Sequence, residues 1–172
     1  MSTMIKPPPV VIAWSIAVSL LFAGASALAD DLIATHRISA ALANEAVGAA
    51  VSACAAQGYA ESAALVDIDG VTQAALRGDG AGVHTPDSAS DKAYTSVSLR
   101  SDTQALVDSV QSQLTPAGPF SKLPRLLLFG GGVVIKLGTE AIGAIGAAGA
   151  PGGKLDDACA RAGLDKIRDR LR

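Results

Sequence analysis

The chain has 172 residues, with 16 acidic against 14 basic side chains, 49% hydrophobic residues and only 3% aromatic ones. That length suits one domain around one core. A slightly acidic protein is not drawn to polyanions, which argues against nucleic acid or an anionic membrane surface as a partner.

The first predicted element is a leader. Lys6 supplies a short positive start, Val10 to Phe22 runs without a charge, and Ala27-Leu28-Ala29 offers an A-x-A cleavage site just before Asp30. This is the pattern of a secretory signal peptide cleaved after Ala29. An uncleaved anchor would need about 20 apolar residues to cross the hydrocarbon core, and this run is shorter. The expectation is therefore a leader over 1–29 and a single domain over 30–172, periplasmic or secreted, with no membrane span after cleavage. Every acidic residue lies at or beyond Asp30, so the mature chain keeps 13 basic against 16 acidic residues. Its aromatics are then Tyr59, Tyr94, Phe120 and Phe129, and alanine and glycine must build most of the core.

Thr35 or Ser39 can cap a first helix that runs to Gly58. Ile38, Leu42, Ala46, Ala49 and Ala53 form one helical stripe, with Val47, Val51 and Cys54 beside it. Tyr59–Asp67 and Val71–Arg77 are apolar runs around Asp69-Gly70, a strong hairpin signal. After the polar loop 78–82, Thr85 as N-cap and Pro86 as the first helical residue predict a helix to Leu99. Thr103 starts another, through Leu114, ended by Pro116, Gly118 and Pro119. Leu126–Phe129, Val133–Leu137 and Ala141–Ala147 read as strands, with Gly130-Gly131-Gly132 linking the first two. Gly143 and Gly146 within the last mark a bulge or a close backbone approach. A final helix begins with Asp156 and Asp157 and ends in arginines, as its macrodipole favours. The order α, β-β, α-α, β-β-β, α predicts an α+β fold with a five-stranded antiparallel sheet flanked by helices.

Cys54 and Cys159 sit in no CxxC and have no His or Cys at zinc spacing, so thioredoxin and zinc-finger readings fail. Both fall on apolar stripes, Cys54 of the first helix and Cys159 of the last. A disulfide between them and two buried free thiols are both open.

Several stretches together resemble the GlcG/HbpS-like haem-binding family. They are Ala53-Cys54-Ala55-Ala56-Gln57-Gly58-Tyr59, Ala64–Gly70, Arg77-Gly78-Asp79-Gly80-Ala81, His84-Thr85-Pro86-Asp87-Ser88-Ala89, Lys92-Ala93-Tyr94-Thr95, Gly130–Gly132, Ile142–Gly146 and Gly149-Ala150-Pro151. They occur in the family's order and span nearly all of residues 38–167. The resemblance implies a profilin-like fold, homo-oligomers and haem or a related tetrapyrrole as ligand. Its related domains beside glycolate and propanediol metabolism imply an alternative, a corrinoid- or small-metabolite-binding accessory protein. A third reading is an oligomeric structural protein without ligand.

Under the haem reading His84 is the candidate iron ligand, because imidazole is the commonest axial donor and His84 stands in a glycine-lined loop at a helix start. Thr85 can offer a hydroxyl to iron, or serve only as a cap. His36 is a weaker second metal ligand or a solvated side chain. Arg77 and Lys92 are candidates for the two propionates, or ordinary surface charges. Gly130–Gly132 lacks the Lys-Ser/Thr of a phosphate loop. Ser88 and Asp87 near His84 make no GxSxG elbow, so a catalyst is not expected beyond incidental peroxidase- or catalase-like turnover of bound haem. The function expected is haem or iron sequestration, or haem sensing with an envelope sensor partner.

Overall fold

In the computed structural model, residues 33–120 and 122–172 are described, and the expected leader lies outside them. The Ser39 hydroxyl accepts the amide of Leu42 and opens α1, Ala40–Ala55. The helix buries Ala43, Ala46, Val47, Ala50 and Cys54. Its buried face is thus the stripe that carries Cys54, rather than the Leu42–Ala49–Ala53 line.

The hairpin forms as its sequence demands. β1, Ser62–Asp67, pairs antiparallel with β2, Thr72–Arg77. Asp67 Oδ1 accepts the amides of Asp69 and Val71, and Gly70 takes φ +76°, a conformation that costs glycine nothing. The helix α2 spans Thr85–Leu99, α3 Thr103–Gln111 and the single turn α4 Ala117–Phe120. β3, Gly132–Leu137, and β4, Glu140–Ala148, close a second hairpin, and α5, Gly153–Ile167, ends the fold with a short 3-10 turn. The sheet order is β2-β1-β4-β3.

The alternation of side chains along the central strands sorts the core into two layers. Ala63, Leu65, Ile145 and Ala147 face α1 and α5, in one cluster with Val47, Cys54, Cys159 and Leu164. Ala64, Val66, Ala144 and Ala148 face α2, against Ala89, Ala93 and Val97. Both layers are thin because small residues meet. A Cβ on Gly146 would stand 2.0 Å from the carbonyl oxygen of Ala89, so α2 touches β4 backbone to backbone. The bulge expected near Gly143 is present as a register shift opposite it, between Ile135 and Lys136.

Four expectations change. Leu126–Phe129 is not a strand, so the described sheet has four strands rather than five. The Leu127 amide donates to the Thr95 hydroxyl, and that of Phe129 to the carbonyl of Leu127, which holds the segment over α2 and off the sheet edge. Thr85 is not the N-cap but the first helical residue; His84 takes the cap position without a side-chain bond. The Thr85 hydroxyl instead donates to the Gly82 carbonyl and meets Ser62 Oγ, both at 2.7 Å. α3 stops at Gln111, leaving Leu114 exposed. α5 starts at Gly153, three residues before Asp156, whose carboxylate points back into the core.

Candidate functional site

His84, Thr85, Ser88 and Lys92 follow one another at helical spacing from the start of α2 and line one cavity of about 400 Å³. Leu127 and Phe129 form its apolar wall, and Ala148, Gly149, Ala150 and Asp156 its floor. The Leu126–Phe129 segment therefore serves the site by lying across α2. A larger cavity of about 550 Å³ lies elsewhere, among Asp102, Lys136, Arg161 and Arg168, and Arg161 there is already held by Asp102 and Asp157. Convergent polar groups against an apolar wall favour the smaller one as a ligand site.

His84 is exposed at the mouth of that cavity, and its ring makes no hydrogen bond among the described residues. The imidazole packs over Gly82, where a Cβ would meet its Cε1 at 2.9 Å.

Lys92 lies at the bottom, 2% exposed. Its ammonium donates to Asp156 Oδ2 at 2.5 Å and to the Ala147 carbonyl at 3.0 Å, with the Phe129 ring centroid 4.9 Å away. It is no surface charge. Asp156 is equally buried and uses its other oxygen to accept the amide of Ala150 at 2.9 Å.

Two other expected residues lie apart. Arg77 does not line this cavity: its guanidinium closes the 78–81 loop by donating twice to the carbonyl of Ala81, at 2.8 and 2.6 Å. His36 pairs with Glu140 at 2.8 Å and lines a small cavity with Ile38 and Leu42. The hydrogen bonds from His36 hold the Glu140 carboxyl below its ordinary range. Cys54 and Cys159 form the disulfide, with Cα atoms 5.6 Å apart.

Sequence reasoning missed Glu61 and the inward role of Asp156. Glu61 is 1% exposed, and neither carboxylate oxygen finds a donor. Burial first, and then the Asp156 carboxylate beside it, push its pKa up to about 8, while Lys92 opposes them. A proton on Glu61 removes its negative charge from beside that carboxylate. Its one sequence signal was a lone acid in an otherwise uncharged run, Gly58–Val66.

This protonation has a testable consequence. With its pKa raised, the folded chain binds more protons than the unfolded chain between about pH 4.5 and 8, so Glu61 costs stability as pH rises through that window. A Glu61→Gln variant mimics the protonated form. Urea unfolding should find it equal to the parent near pH 5 and more stable by a few kcal/mol near pH 9. Equal stability at both pH values would mean that Glu61 is ionised throughout.

The model of a family described as haem degrading protein HbpS-like matches residues 38–165. The chain belongs to the HbpS-like family. The structure of a double mutant of Streptomyces reticuli HbpS is similar at TM-score 0.72 and 32% identity, over 92% of this chain and 97% of that one. A PduOC–haem complex is similar at TM-score 0.70 and 25% identity, over 77% and 96% of the two chains. An uncharacterised 15.0 kDa protein from a dhaT-dhaS intergenic region of Citrobacter freundii is 36% identical over 86 residues. That match covers 49% of this chain and 61% of the relative, so the chain spans about three-fifths of the curated protein's length. HbpS-like relatives thus include a protein seen with haem, and the fold they share is an antiparallel sheet flanked by helices.

Proposed function

We propose that this HbpS-like chain binds haem in the cavity at the start of α2, with His84 as the axial ligand to iron. The observation that carries the reading is the unpaired His84 imidazole at the mouth of a cavity walled by Leu127 and Phe129. A nitrogen donor without a competing partner, beside an apolar wall, fits an iron porphyrin. Family membership and the haem complex of PduOC support it. The fit is partial for the propionates: Lys92 already holds Asp156 and Arg77 lies in another cavity, so these carboxylates would point outward to water. When bound, haem supplies redox-active iron and an intense absorption band; the chain's own task is to coordinate and shield it.

The role we infer is sequestration or sensing rather than turnover. Export to the cell envelope is part of the proposal, supported by the leader-like residues 1–29 and by the buried disulfide. So is self-association: Val83 next to His84 is 83% exposed and Phe129 on the cavity wall 49%, and a second copy covering them would enlarge the apolar wall. Delivery of haem or a signal to an envelope sensor partner would follow from that position.

Haemin titration tests the core of the proposal. The full chain should give a saturable Soret shift, and His84→Ala should weaken binding roughly tenfold or more, equivalent to about 1.4 kcal/mol. A spectrum that never saturates, or one that His84→Ala leaves unaltered, would sink it.

A further inference from the structure

The sulfur atoms of Cys54 and Cys159 and a carboxylate oxygen of Glu61 all lie within 4.8 Å of one another, and all three residues are buried. Glu61 is the uncommon member. A carboxyl enclosed to 1% exposure with neither oxygen meeting a donor is an expensive resident of a core, where an apolar residue would sit without penalty. One of those oxygens lies beside the disulfide sulfurs. A cavity of about 300 Å³ lined by Val51, Ala55, Tyr59 and Arg77 adjoins Glu61, whose carboxylate oxygens are themselves sealed from solvent.

We propose that Cys54, Cys159 and Glu61 form a redox-gated site for a thiophilic divalent cation of the zinc type, closed by the disulfide and opened by its reduction. Two thiolates and one carboxylate are a donor set that zinc accepts, with a water completing four-coordination. Tetrahedral binding with Zn–S near 2.3 Å sets the sulfurs roughly 3.8 Å apart, a modest separation for side chains whose Cα atoms stand 5.6 Å apart.

The chemistry balances with a named reductant. The lone pair of a water-soluble phosphine reduces the disulfide, one water gives its oxygen to the resulting phosphine oxide, and that water's two protons complete the two thiols. The cation then displaces one proton from each thiol, and a third from Glu61 where that group is protonated. In an oxidising compartment the chain carries the bridge; in a reducing one it carries the metal.

The experiment uses the full chain, reduced anaerobically with the phosphine and titrated with Co²⁺. One equivalent should produce thiolate-to-cobalt charge-transfer absorption and tetrahedral visible bands, both abolished by Zn²⁺. The oxidised chain should show neither. Glu61→Gln should keep the thiolate bands but bind at least about tenfold more weakly. Should the reduced chain unfold, Zn²⁺ must restore its helical circular dichroism, and restore it less well in Glu61→Gln. Absence of cobalt–thiolate bands in a folded reduced chain overturns the proposal. So does failure of Zn²⁺ to refold an unfolded one, or equal affinity in Glu61→Gln.

Discussion

A chain carrying Cys54→Ala and Cys159→Ala together will melt on the order of 15 °C below the parent, a loss of about 4–5 kcal/mol. The bridge joins residues 105 apart in sequence, so its removal frees most of the described chain in the unfolded state. Loop closure of that length contributes about 4.7 kcal/mol in the chain-entropy account. Little native packing offsets the loss. α1 and α5 meet through small residues: a Cβ on Gly163 would lie 2.6 Å from the Ala46 carbonyl oxygen and 3.0 Å from the Ala50 methyl. Such a contact is close but brings little apolar area per residue. Thermal unfolding of the oxidised parent, the phosphine-reduced parent and the double alanine variant checks this. A drop below about 1 kcal/mol would show that the sheet and its two helix layers carry the fold unaided.

How much of this was readable in advance follows from where each signal lives. Asp67 to Gly70 is a local device, with the side-chain oxygen and the positive φ supplied within four residues, and the hairpin forms where expected. The small-residue character of the core was equally visible in composition, and Gly146 beneath Ala89 is its sharpest instance. Leu126–Phe129 misled because a short apolar run fits a strand and a packed coil alike, and Thr95, a residue of α2, decided between them. Thr85 misled because its hydroxyl has a tertiary partner, Ser62, that no local rule includes. The site divided in the same way. His84 stands out by residue type and loop context, and the fold places it on the lining of the α2 cavity. Lys92 reads as a propionate partner or a surface cation because its real partner, Asp156, lies 64 positions away.

Lys92→Met should cost about 3–5 kcal/mol near neutral pH, the range for removing one partner of a buried ion pair. Methionine fills much of the space left by the lysine stem, so the loss reports charge rather than volume. Asp156, 2% exposed, would keep only the Ala150 amide, with the Glu61 carboxyl beside it. Combining Lys92→Met with Asp156→Asn removes the charge from both sides while preserving an acceptor for Ala150. The double variant should therefore lose less than the sum of the single changes, by at least about 2 kcal/mol in a double-mutant cycle read by urea unfolding. Strictly additive costs would mean that the two side chains are neighbours without being coupled. Haemin affinity separates this structural role from ligand binding. With its ammonium held by Asp156 and Ala147, Lys92 has little left to offer a propionate, so folded Lys92→Met should lose less affinity than His84→Ala. A larger loss in Lys92→Met would move the anchor of the ligand from the mouth of the cavity to its base.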